Sequence, residues 1–227
     1  MSGLPESSRA VREQLVALGG RYDRLGWVFA TSGNVSARVA DPAGGTFVVS
    51  ASGRHKGMLG LEDFALCAVA TGATIAGLPH ARPSAEAAIH RAIYAALPEA
   101  CVAVHVHTVP ATLARPDHAA APGSRAIGHV VFEDLEMVKG WGFWDFKARV
   151  AMPVFENHAD VAHIADDIAA WLAAPDLPPG TARAPALLIR THGVTAWGLD
   201  AAAANRHLET AEFLLQVRLA AGHRADP

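Results

Sequence analysis

The stretch CVAVHVHTV, Cys101 to Val109, constrains this chain more than any other. Its alternation predicts a β-strand, in which successive side chains point to opposite faces. Val104 and Val106 then enter one layer, while His105 and His107 emerge together on the other. Two imidazoles leaving the end of an apolar strand can coordinate one divalent transition metal. Alone, a His-x-His pair is more commonly the solvated face of a strand. With 12 histidines against two tyrosines, histidine chemistry is the first to test.

A third histidine changes the balance. In ALLIRTHGVTAW, His192 follows a buried strand and precedes a glycine, so a tight turn can project its ring. Three imidazoles make a facial site with positions left open for water or substrate. Glu86 opens the helix just before the His105 strand and can reach the same pocket as ligand or base. Equally, it can complement the helix dipole, worth ~0.3–1 kcal/mol. The sequence leaves both readings open.

Around these residues the chain changes character once. Arg9 to Leu25 carries Val11, Leu15, Leu18, Tyr22 and Leu25 at helical spacing, which predicts an amphipathic helix. TSGNVSARV and GGTFVVSASG read as a hairpin, and FALCAVA and ATIAG as further short strands. Beyond Pro83 come helices: PSAEAAIHRAIYAAL with a Ser84 cap, Asp160 to Ala173, and a long last helix capped by Asp200. The pattern predicts one α/β domain over residues 1–227, with a largely antiparallel sheet covered by helices.

Three segments are candidate anion binders: Ser32 to Asn34, Ser50 to Gly53, and Pro83-Ser84. Each pairs small polar side chains with exposed N–H groups, as oxyanion sites do, though each alone is more often a turn or a cap. The run Ser52-Gly53-Arg54-His55-Lys56-Gly57 adds two glycines and three potential cations, more than a turn requires.

Bulk properties exclude other classes. The net charge is −3, and the 19 Lys and Arg are scattered, which argues against nucleic acid or anionic membrane as partner. No apolar segment is long enough to span a bilayer, and residues 1–14 do not read as a signal peptide, so a soluble cytoplasmic protein is expected. Cys67 and Cys101 lie in apolar runs and read as small core residues.

SGNVS, SASG, PSAE, HVHT and THG, in this order and spacing, resemble the class II aldolase/adducin family from about Arg9 to Gly222. The resemblance implies a three-layer αβα sandwich with a mixed, largely antiparallel central sheet. It also implies a homotetramer with active sites at subunit interfaces, acting on a small phosphorylated sugar. Under it, His105, His107 and His192 look like the ligands of one Zn2+ per subunit. Asn34, Ser52, Gly53 and Ser84 fall where related aldolases hold the substrate phosphate, with Lys56 and Arg54 as nearby positive charge. His55 is left as a loop residue. Glu86 falls where those aldolases have a metal-binding or proton-transferring glutamate.

FVVSASGRHKG, LEMVKGWG, MPVFENHADV and LIRTHGVTAWG are most similar to the methylthioribulose-1-phosphate dehydratase branch of the family. There a glutamate at the place of Glu136 is the acid/base candidate, whereas the fuculose-phosphate type of aldolase uses tyrosines. Tyr22 and Tyr94 both precede the His105 strand, which argues against the aldolase chemistry. Trp141, Phe143 and Trp144 are candidates for an apolar wall or for core packing. The alternatives are a sugar-phosphate aldolase or epimerase, and a non-catalytic adducin-like interaction module.

Overall fold

The computed structural model describes residues 3–40, 45–77, 82–145 and 147–222. Five helices are α1 (Arg9–Arg24), α2 (Ala87–Ala96), α3 (Val109–Leu113), α4 (Val161–Ala173) and α5 (Ala201–Gly222). The first strands are β1 (Asn34–Arg38), β2 (Thr46–Ser50), β3 (Phe64–Ala68), β4 (Thr74–Gly77) and β5 (Val102–Val106). They are followed by β6 (His118–Ala119), β7 (Gly128–Phe132), β8 (Val150–Phe155), β9 (Ala182–Arg183), β10 (Ala186–Ile189) and β11 (Gly193–Gly198).

The strands form one sheet in the order β4-β3-β2-β1-β5-β11-β10-β8-β7-β6, with β9 beside β8. Only β8–β10 and β8–β9 pair in parallel among the described residues. A parallel pair needs a crossover, and α4 supplies the one between β8 and β10. The β1–β2 hairpin forms as the sequence predicts, with Ala37 opposite Val48.

Alternation along the central strands divides the molecule into three layers. Val35, Val104, Val106 and Val194 pack with Leu15, Leu18, Leu208 and Leu215 of α1 and α5. On the opposite face, Phe47, Ala103, Leu187 and Trp197 pack with Ile89 and Ile93 of α2 and Ile168 and Trp171 of α4. The αβα sandwich with a mixed, largely antiparallel sheet is therefore the observed fold. Each buried aliphatic side chain contributes roughly 1.5–3 kcal/mol.

Helix starts follow the expected chemistry with one shift. Asp160 Oδ1 accepts from Ala162 N, and Asp200 Oδ1 from Ala203 N. In α2, however, Glu86 itself takes the N-cap position, and Ser84 Oγ, two residues earlier, accepts from the Glu86 N–H. At Gly19 of α1, an added Cβ would lie 2.4 Å from the Lys56 carbonyl oxygen, so the short 3-10 helix Lys56–Met58 seats directly on that backbone. Cys67 is buried, and both cysteines are free thiols. Among the described residues, no helix is long and apolar enough to cross a membrane.

Candidate metal and anion site

Register brings the histidines together. His105 sits opposite Asn34 of β1 on one side and Thr195 of β11 on the other, at the centre of the sheet. His107 leaves the end of β5, its N–H bonded to the Trp27 carbonyl. His192 comes from the β10–β11 turn, where Thr191 has φ +58°, a strained conformation for a β-branched residue. Gly193 is required next to it. A Cβ there would lie 2.2 Å from the Val106 carbonyl oxygen and 3.1 Å from the His105 ring.

The three Nε2 atoms converge: His105 to His107 is 2.9 Å, and His192 to His107 is 3.1 Å. Glu86 Oε1 completes the group at 2.8 Å from His192, 3.6 Å from His105 and 3.9 Å from His107. Four ligands at ~2.0–2.1 Å from one zinc-sized ion stand roughly 3.3 Å apart, so this donor set fits a single metal. The surroundings fit as well. His105 Nδ1 donates to the Val194 carbonyl at 3.0 Å, with Thr195 Oγ1 at 2.9 Å, which leaves the Nε2 lone pair facing the cluster.

Burial and neighbouring groups keep His105, His107 and Glu86 unprotonated. Burial and the neighbouring imidazoles push His107 down to about 4, and burial holds His105 below its ordinary value. Burial opposes ionisation of Glu86, yet the adjacent imidazoles outweigh it and hold the carboxyl well below the usual range. Neutral imidazoles beside a carboxylate are the ligand forms a divalent ion needs.

The three anion-candidate segments also meet. Ser52 N–H donates to the Arg82 carbonyl at 2.8 Å, and Ala51 bridges to Pro83. Asn34 Nδ2 donates to Ser84 Oγ at 3.3 Å and to Glu86 Oε2 at 2.6 Å, which links this wall to the histidine cluster. Asn34 is fully buried, whereas Ser52 and Gly53 are exposed and Ser84 half-buried. Gly53 has φ +72° and open space where a side chain would stand.

The basic side chains of this run sit elsewhere than a simple anion pocket would place them. Arg54 pairs with Asp63 at 3.2 Å, and His55 faces Asp23 at 3.7 Å, as befits a loop residue. Lys56 is buried, with Nζ donating to the Thr31 and Arg54 carbonyls. Glu136 lies apart from the cluster. It begins a 3-10 helix, Glu136–Trp141, with a 78% exposed side chain paired to Lys139. Trp141 joins the core beside Phe132, Phe143 packs against that core, and Trp144 is exposed.

Two roles escaped the sequence. Thr195 orients His105 only because β11 lies beside β5 in that register, which no spacing reveals. Glu212 is buried in α5 and accepts from Thr108 Oγ1, next to His107. A carboxylate on the apolar row of Leu208 and Leu215 was the available signal for it.

Residues 13–219 match the sequence model of the family described as class II aldolase and adducin N-terminal domain. A methylthioribulose-1-phosphate dehydratase from Leptospira biflexa serovar Patoc is 38% identical over 205 residues, covering 90% of this chain and 94% of that protein. One from an Exiguobacterium species is 40% identical over 212 residues, covering 92% and 95%. YgbL from Escherichia coli superposes with a TM-score of 0.73 at 20% identity, covering 97% of this chain and 93% of that one, a likeness of fold. This chain belongs to the class II aldolase and adducin N-terminal domain family.

Proposed function

We propose that this chain is a zinc-dependent hydro-lyase of methionine salvage. It would convert 5-methylthioribulose 1-phosphate to 2,3-diketo-5-methylthiopentyl 1-phosphate in the cytoplasm. The observation that carries the reading is a four-donor metal cluster joined, through Asn34, to a cradle of small polar residues. Relatives 38–40% identical that bear the dehydratase name supply the substrate.

His105, His107, His192 and Glu86 would hold the metal, which when bound supplies Lewis-acid polarisation of the substrate's carbonyl. Both Glu86 oxygens are engaged, one with the cluster and one with Asn34, which favours a ligand over a free base. Ser52, Gly53 and Ser84 would bind the phosphate and so set which carbons face the cluster. Glu136 would take the proton from C3 and return one to the departing C4 hydroxyl, which leaves as water. The resulting enol then becomes the diketone.

Among the described residues Glu136 is not part of the metal cluster of its own chain, and its exposed side chain suits a role across an interface. We therefore read the enzyme as a homotetramer in which Glu136 completes a neighbour's site. Two inactive variants, Glu136→Gln and His107→Ala, test this when they assemble together. Mixed oligomers should regain activity, and normal turnover by Glu136→Gln alone would remove that residue from the reaction. The product separates the chemistries, because an aldolase would release dihydroxyacetone phosphate instead of the diketone.

A further inference from the structure

Of the three basic side chains in the Arg54-His55-Lys56 run, two face carboxylates of this chain, Asp63 and Asp23. Lys56 does not. It is 2% exposed, and among the described residues no carboxylate ion-pairs with it. Its Nζ donates instead to the Thr31 carbonyl at 2.7 Å and the Arg54 carbonyl at 2.6 Å. An ammonium has three N–H donors, so one remains beyond these two bonds. A buried cation held only by neutral acceptors is costly unless a counter-charge arrives.

The two carbonyls belong to different loops. Thr31 precedes the Ser32-Gly33-Asn34 segment, and Arg54 follows Ser52-Gly53. Lys56 is therefore the side chain that spans two of the three walls of the anion cradle. The third wall is attached separately, by Ser52 N–H to the Arg82 carbonyl and Asn34 Nδ2 to Ser84 Oγ.

The base of Lys56 is itself fixed. A Cβ at Gly19 would lie 2.4 Å from the Lys56 carbonyl oxygen, and one at Gly57 would lie 2.2 Å from Asp23 Oδ2. Close backbone approach thus holds the lysine's helix against α1. Burial lowers the ammonium's proton affinity and the charge of Glu86 opposes that, which puts Lys56 within electrostatic range of the metal cluster.

We propose that Lys56 is a positioning residue: its buried ammonium ties the Thr31 loop to the Arg54 loop and sets the spacing of the phosphate cradle, whose bound phosphate adds to the counter-charge of Glu86. This deepens the functional reading above, because it rests on the cradle being a phosphate site. It also departs from a simple cationic pocket, since the lysine acts from behind the loops.

The test compares zinc-loaded wild type with Lys56→Met, using inorganic phosphate as probe in titration calorimetry and the sugar phosphate in steady-state kinetics. In Lys56→Met the phosphate Kd should weaken by about tenfold or more. KM should rise in step while kcat stays within about threefold, with zinc content unchanged. A merely structural lysine would instead lower thermal stability and leave the phosphate Kd of the folded fraction as in wild type. That result overturns the proposal. If Lys56→Met does not accumulate folded, Lys56→Leu, which also removes every donor to the loop carbonyls, gives the same comparison. Wild type that fails to bind phosphate sinks the cradle and this inference together, whereas wild-type binding with unaltered variant binding sinks Lys56 alone.

Discussion

Replacing Glu212 with Gln should make the protein more stable, by an amount that grows with pH. The carboxyl is 1% exposed, accepts one bond from Thr108 Oγ1 at 2.9 Å, and has Oε2 buried without a partner among the described residues. Burial pushes it from 4.5 up to about 7, against the Thr108 bond. A folded-state value above the unfolded one means that the folded chain holds the proton more tightly. The stability this confers is fully present below 4.5 and is lost as pH rises through 7. Proton linkage of ~1.4 kcal/mol per pH unit makes the loss about 3 kcal/mol when complete.

Gln keeps the acceptor and the shape of the neutral acid but cannot ionise. The advantage of Glu212→Gln over wild type should therefore grow by about 2–3 kcal/mol between pH 5 and pH 8 and then level off. At 2–4 °C per kcal/mol for a chain of this size, the gap in Tm widens by roughly 5–10 °C. Thermal unfolding of both proteins at matched pH reads this directly, since every other titrating group cancels in the difference. A gap that is the same at both pH values would refute the reasoning.

Adjacent glycines of α1 should respond with opposite signs. Gly19→Ala should destabilise by about 1–2 kcal/mol, because the new methyl strikes the Lys56 carbonyl while helix propensity returns only part of the loss. Gly20→Ala meets nothing closer than the Arg24 guanidinium at 3.6 Å and should stabilise by roughly 1 kcal/mol. Chemical denaturation of the two variants decides both. Asn34→Ala removes the donor to Glu86 Oε2 and should weaken metal affinity by roughly 10–100-fold, measured by competition with a chelator. Unchanged affinity would mean that Glu86 is not a ligand.

Much of the metal site was legible because strand alternation is a strict rule. His105 and His107 on one face, with Val104 and Val106 on the other, follow from the sequence and are observed. His192 was legible as a turn residue beside a glycine, and the close approach of Gly193 to Val106 shows why that glycine is needed. Asn34 was singled out as an anion contact, yet its amide faces Glu86 and Ser84, because β1 pairs with β5 in a register that spacing does not encode. Lys56 was read as positive charge beside the phosphate, in a polar loop. Only the seating of its helix on Gly19 makes it a buried one. The parallel β8–β10 pair was equally hidden, since it depends on a crossover joining segments that carry no mutual signal.

The central claim is that this cluster holds one metal ion that serves dehydration. Metal-free protein titrated with Zn2+ while turnover of 5-methylthioribulose 1-phosphate is followed tests it most directly. Activity should rise in proportion to added zinc and saturate at one ion per chain, with the diketone phosphate as product. Full turnover without metal, or release of dihydroxyacetone phosphate, would contradict it.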